Sequence, residues 1–140
     1  MEFTAEILWL GNELLIGRTI NKNATKIALE LTKIGFYVVR ETTVRDDLNQ
    51  AAITLNEIIQ RSPNVILITG GLGPTHDDIQ LEVISKTLIV DLVLNNEAVN
   101  MMTQKYNIAR NSLSKHMQKM ATLPMDSTPL NNSQGVAPGV

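Results

Sequence analysis

Three times between residues 5 and 88, a segment patterned like a buried strand is followed by one with helical periodicity, and that alternation leaves little choice of fold. Ala5-Glu6-Ile7-Leu8-Trp9-Leu10 predicts a first strand, and the β-branched and aromatic stretch Phe36 to Val44 predicts a second. Asn64 to Ile68 predicts a third, with the unbroken apolar character of a strand covered on both faces. Ala24, Ile27, Ala28, Leu31 and Ile34 recur at helical spacing, so a helix is expected from about Asn21 to Ile34, with Gly35 where a helix-terminating glycine belongs. Leu48, Ala51, Leu55, Ile58 and Ile59 mark a second helix, capped by Asp46 or Asp47 and broken by Ser62-Pro63-Asn64. Ile79, Val83, Ile84 and Leu88 mark a third. This order implies an α/β protein: a parallel sheet with helices on both faces and right-handed crossovers. Ligands of such sheets lie beyond the carboxyl ends of the strands. The loops 11–17, 44–47 and 69–78 all follow strands and are expected on one edge.

The third of these loops, Thr69-Gly70-Gly71-Leu72-Gly73-Pro74-Thr75-His76-Asp77-Asp78, holds three of the chain's eight glycines within four positions. Glycine lets a backbone turn sharply and present its N–H groups to a ligand. A helix N-terminus behind such a loop favours phosphate. Asp77 and Asp78 would repel phosphate unless a divalent cation lay between them, and hard oxygen ligands suit magnesium or manganese. One acid of the pair is expected to cap the following helix, the other to bind a metal or hold a water. His76 beside them is either a phosphate contact or a solvated loop residue. The loop is not a Walker A motif, since no Gly-Lys-Ser/Thr follows, and its spacing is not that of a dinucleotide fingerprint. Asp46 is a candidate second acid. Glu13, set among apolar neighbours in Gly11–Gly17, is a candidate for a metal or a sugar hydroxyl, and Asn21 and Asn23 are caps able to reach a ligand.

Bulk properties exclude several other chemistries. Of the 140 residues, 44% are hydrophobic and 19% charged, the profile of a chain with a real core. The net charge of −2 offers no basic stripe for nucleic acid, and 4% aromatics offers no platform for stacked bases. With no cysteine, disulfides, thiolate catalysis and cysteine–zinc sites are ruled out. The two histidines, His76 and His116, are far apart, and no Gly-x-Ser-x-Gly elbow occurs. No apolar run approaches a membrane span, and the amino terminus lacks the pattern of a signal peptide, so a cytoplasmic setting is expected. In the second half, helices are expected from Asn95 or Asn96 to about Tyr106 and from Ser112 to Met120. Four of the six methionines fall between residues 101 and 120, where core filling is expected ahead of the alternative, a subunit interface. Residues 130–140 are loop-like.

Four of these segments, in order, resemble the amino-terminal domain of the CinA family, part of the molybdopterin-binding superfamily of MoaB, MogA and gephyrin. They are Gly11–Gly17 with Asn21 and Asn23; Thr43-Val44 with Asp46; Thr69–Asp78; and Asn131 through Gly139. The resemblance implies a three-layer α/β/α fold with a mostly parallel sheet and an anion pocket at its carboxyl edge. It implies that Gly70, Gly71, Leu72, Gly73 and Thr75, with Asn21 and Asn23, bind ligand phosphate. It further implies that Asp78 and Asp46 are catalytic and that Asp77, Asp78 and Glu13 hold a magnesium, manganese or cobalt ion, with no organic cofactor. The activity it implies is metal-dependent pyrophosphatase action on ADP-ribose or a related nucleotide diphosphate. The alternatives are molybdopterin binding or adenylylation, and a non-catalytic ligand-binding or assembly module. The implied partner is a small nucleotide or pterin phosphate, not nucleic acid or membrane, and a homo-oligomer, dimer or trimer, is expected. Leu72 stands where the MogA-like branch has a small hydroxyl residue, which favours the CinA branch, and Asn12 replaces a more usual threonine. Family members continue beyond Ala137-Pro138-Gly139-Val140 into a further strand and a second glycine/proline loop. Residues 1–140 are therefore expected to be one domain lacking its carboxy-terminal part and some of its site. The nicotinamide-nucleotide amidase domain of longer CinA proteins is absent from this stretch.

Overall fold

Strand β1 (Phe3–Leu10) is the hub of the first half of the molecule, because it is buried on both faces from Ala5 onward. A computed structural model describes residues 2–140, and the chain divides into two compact units, one ending at Gly71 and one starting at Leu72. In the first unit β1 is followed by a single helical turn α1 (Asn12–Leu15), then α2 (Lys22–Lys33), β2 (Phe36–Val44), α3 (Leu48–Gln60) and β3 (Val65–Thr69). The strands form one parallel sheet in the order β2-β1-β3. The register slips between Ala5 and Glu6, so that Ala5 faces Val38 and Glu6 faces Arg40.

The pleat of β1 sends alternate side chains to opposite helices. Ala5, Ile7 and Trp9 pack with Leu31, Ala24 and Ile27 of α2. Glu6 points the other way, to Arg61 at the end of α3. The layers of this unit are thus α2, sheet and α3. Full burial of Ile7, Leu8 and Ile58 contributes about 1.5–3 kcal/mol each. Glu6 is a charged residue at 4% side-chain exposure, and Arg61 grips it with two donors, Nε to Oε1 at 2.9 Å and Nη2 to Oε2 at 2.7 Å. The hydrogen bonds from Arg61 hold the Glu6 carboxyl below the usual glutamate range against the opposing effect of burial, and the Arg40 charge adds to the same effect.

The caps follow local chemistry. Asn21 accepts from the Ala24 N–H to start α2, and Asp47, rather than Asp46, accepts from the Gln50 N–H to start α3. β2 has the expected bounds. β1 begins two residues earlier than expected, β3 ends one residue later, and the loop after β1 contains the unforeseen turn α1.

The second unit comprises α4 (Gln80–Leu88), β4 (Leu92–Leu94), α5 (Asn96–Tyr106), a 3₁₀ turn (Arg110–Ser112), α6 (Lys115–Met120) and β5 (Thr122–Pro124). β4 and β5 pair antiparallel with Val93 opposite Leu123. Neither strand is foreseen from the sequence, since three residues carry no period. Asn95 caps α5. The helix expected from Ser112 starts later, because Ser114 takes the cap by accepting from the Met117 N–H. Met102 and Met120 lie in this unit's core with Leu81, Val99 and Leu123, and Met117 packs against it, the core-filling role expected of methionine. The tail is a loop closed by a bridge between Leu130 and Gly139 and held by Lys105, which donates to the carbonyls of Asn132 and Gly135. Among the described residues no helix is long and apolar enough to cross a membrane.

Candidate ligand site

The loops after β1 and β2 meet because each supplies what the other lacks. The Gly11 N–H donates to the Val44 carbonyl at 3.2 Å, and the Asn12 N–H donates to Asp46 Oδ2 at 2.9 Å. The start of the loop after β3 joins them. Gly70 lies so close to Leu10 that a Cβ there would stand 2.8 Å from the Leu10 Cβ. Loops 11–17 and 44–47 and the beginning of 69–78 therefore gather on the carboxyl edge of the sheet, as the strand order requires.

A cavity of about 750 Å³ opens at this edge. Trp9 and Leu10 at the end of β1 and Glu13 and Leu14 of α1 line one part of it, and Thr69, Gly70 and Gly71 line another. Arg18, Thr19 and Ile20 lead into Asn21, Lys22 and Asn23, so the N-terminus of α2 also faces the space. That end of a twelve-residue helix carries unsatisfied N–H groups and a partial positive charge. Arg18 and Lys22 add two full positive charges, and Glu13 is the one acid in the lining. The chemistry is that of an anion site with a single carboxylate set within it.

Of the residues singled out by sequence, Gly70, Gly71, Asn21, Asn23 and Glu13 line this cavity, and Asp46 braces its edge through Asn12. Asn21 Oδ1 is already engaged as the helix cap. Leu72, Gly73, Thr75, Asp77 and Asp78 belong to the second unit, since the division between units falls inside the glycine loop. Here one expectation is corrected. Neither aspartate caps α4, whose N-cap position is Ile79 with no side-chain cap. Asp78 turns back instead, and its Oδ2 accepts from the Thr75 N–H at 2.8 Å and from the Thr75 hydroxyl. Burial pushes the Asp78 carboxyl up, but the hydrogen bonds from Thr75 and the Gly73 N–H, with the nearby Lys119 charge, outweigh it and hold the group below the usual aspartate range. Lys119 Nζ secures the same loop by donating to the carbonyls of Thr75 and Asp78 and by facing Glu82.

Asp46 accepts a backbone N–H, and Asp78 accepts three donors from its own loop. Among the described residues no group of three or more histidine, aspartate or glutamate side chains is gathered that could hold a metal ion. The binding contacts that follow are those of the chain's own residues. Two of these, Arg18 and Lys22, are absent from the sequence reading. The available signal was their position flanking the Asn21 cap, where cations beside a helix N-terminus run against the helix dipole.

Residues 6–140 match the family described as "Probable molybdopterin binding domain". A protein of Metallosphaera sedula is 47% identical over 99% of this chain and 52% of its own length, so the chain spans about half the length of the curated relatives it matches. Among solved structures, the protein CinA of unknown function from Thermoplasma acidophilum is 36% identical, with a TM-score of 0.87 over 99% of this chain and 80% of that one. The tungsten cofactor synthesizing protein MoaB from Pyrococcus furiosus is 26% identical, with a TM-score of 0.58 over 76% of this chain and 64% of that one. The chain belongs to the molybdopterin-binding domain family, with the three-layer α/β/α fold of that class. Within the family it is a CinA-type amino-terminal domain with MoaB-like neighbours.

Proposed function

We propose that the cavity of the first unit binds a phosphate-bearing pterin of the molybdopterin class. The observation that carries this reading is the convergence, in one space, of the α2 N-terminus, Arg18, Lys22 and the Gly70–Gly71 backbone. Each favours an anion: backbone N–H groups by hydrogen bonding, the cations by charge, and the glycines by letting phosphate approach the main chain. The size lies within the roughly 300–1,000 Å³ range of small-molecule pockets. The matched family supports a pterin ligand, as does the cofactor synthesis carried out by the MoaB relative from Pyrococcus furiosus. Neither supports hydrolysis of ADP-ribose, so the pyrophosphatase reading yields to the pterin one.

The test uses Trp9, which lines the cavity and is the chain's single tryptophan. Its fluorescence should change when molybdopterin, released anaerobically from a molybdoenzyme, is titrated in. Arg18→Ala with Lys22→Ala should weaken that binding by about tenfold or more, as expected for loss of charge-assisted phosphate contacts, while leaving the far-UV circular dichroism unchanged. Failure of the unaltered protein to bind, or indifference of binding to the double substitution, would refute the site. Pyrophosphate release from ATP in the presence of bound pterin would add adenylylation to the reading. AMP release from ADP-ribose would restore hydrolysis.

A further inference from the structure

Glu41 lies on β2 at the edge of the sheet and is not among the residues that line the cavity, yet it holds one of them. We propose that Glu41 is a positioning residue for the ligand site, acting through Trp9. The proposal rests on the pocket reading above and adds to it the group that fixes its aromatic wall. Register brings the two side chains together. Ile7 is opposite Glu41 and Trp9 is opposite Thr43. Glu41 therefore stands diagonally across from Trp9 on the same face of the sheet, a separation that an aromatic ring and a long side chain can span. Trp9 Nε1 donates to Glu41 Oε2 at 3.0 Å. An indole has one N–H and no acceptor. Trp9 is only 2% exposed, so turning its ring over would leave a buried donor unsatisfied. An ionised carboxylate makes a stronger acceptor than a neutral group. Glu41 thus selects one orientation of the indole.

That orientation reaches the cavity through what rests on the ring. Leu14 of α1 and Ala24 and Ile27 of α2 pack against the cluster that contains Trp9. Trp9 and Leu14 themselves line the cavity, and the N-terminus of α2 brings Lys22 and Asn23 to it. A wall fixed before the ligand arrives spares the entropy of ordering that wall on binding. Glu41 touches no ligand in this arrangement. Its effect on affinity passes through the indole and the two helical elements packed on the same cluster.

The experiment compares the 140-residue chain with Glu41→Ala, Glu41→Gln and Arg61→Met. Trp9 is the single tryptophan, so emission reports this position alone. Affinity for molybdopterin is read by calorimetry, which keeps any altered emission out of the measurement. Glu41→Ala should raise acrylamide quenching of Trp9, lower its fluorescence anisotropy, and weaken molybdopterin binding by about two- to tenfold, the cost of ordering one side chain on binding. Glu41→Gln keeps a side-chain oxygen as acceptor and should restore both readouts. Arg61→Met strands Glu6, which points to the opposite face of β1, and should lower stability while changing neither readout. Native quenching or native affinity in Glu41→Ala overturns the proposal, the latter even if stability falls, since the bond would then be structural only. A Gln variant that behaves like the Ala variant removes the hydrogen bond as the cause. An equal loss of affinity in Arg61→Met makes the effect one of general stability and overturns positioning. Absence of molybdopterin binding by the unaltered chain refutes the pocket reading itself, and the positioning role falls with it; binding that persists unchanged in Glu41→Ala refutes Glu41 alone.

Discussion

The two halves of the glycine-rich segment carry the same kind of sequence and do opposite things. Thr69, Gly70 and Gly71 line an open cavity, and Gly70 is glycine because the Leu10 side chain leaves no room for a Cβ. Three residues on, Gly73 is also crowded, but by Asp78, whose Oδ2 would lie 2.7 Å from an added Cβ. There the loop brings its own anion, and the N–H groups of Gly73 and Thr75 turn to that carboxylate. A run of glycines therefore does not make a phosphate cradle along its whole length. What decides is whether a neighbouring acid has already taken the donors. The same distinction sorts the acids. Glu6, Asp46 and Asp78 each accept hydrogen bonds within the protein, while Glu13 stands open in a cavity lined by cations.

This contrast breaks if carboxylates engaged within the protein prove dispensable to stability. The largest effect is expected at Glu6. Arg61→Met strands it as a buried unpaired carboxylate and should cost about 3 kcal/mol in urea unfolding. Adding Glu6→Leu should recover most of that loss, because the pair would then be replaced by apolar packing. A single-variant cost below about 1 kcal/mol would show the pair to be no more than a surface ion pair. Next comes Gly70→Ala, where the Cβ meets Leu10 at 2.8 Å. Overpacking there should cost about 1–3 kcal/mol and weaken ligand binding at the cavity, whereas a neutral result would mean that the β1 and β3 ends are not tightly joined.

The smallest effect belongs to Asp78→Asn, which keeps the shape and removes the Asp78 charge from the second half of the glycine-rich segment. About 1 kcal/mol is expected, with a signature in pH. The folded carboxyl lies below its unfolded value, as does that of Glu6. The stability each contributes is therefore fully present above the unfolded pKa of about 4 and is lost as pH falls through the folded value. Acid titration of the unfolding free energy should show a shallower decline for Asp78→Asn than for the unaltered chain. Parallel curves would remove Asp78 from the engaged acids.

Much of the first unit was legible because its signals are local and redundant. Phe36 to Val44 is a β-branched run bounded by Gly35 and by Asp46-Asp47, and the strand occupies those residues. Asn21 stands before a clean helical period and caps it. The choice between Asp46 and Asp47 was not legible, since both can accept an N–H. It is resolved by Asn12, a residue 34 positions away whose N–H takes Asp46 and leaves Asp47 to the helix. The second unit resists for the opposite reason. β4 and β5 are three residues each and exist only as a pair. α4 ends on Ile89, a β-branched residue at φ 56° and 91% exposed, where no local preference would place a left-handed turn.

Spacing alone specified a parallel α/β sheet, the helices that cover β1, and a ligand edge at the carboxyl ends of its strands. It did so because the periods of strand and helix and the chemistry of caps act over a few residues. Which glycines face a cavity, which aspartates close on their own loop, and that Arg18 and Lys22 share a space with Glu13 were decided only when distant segments met. A donor or acceptor is free or engaged according to its neighbours in space, and those neighbours come from elsewhere in the chain.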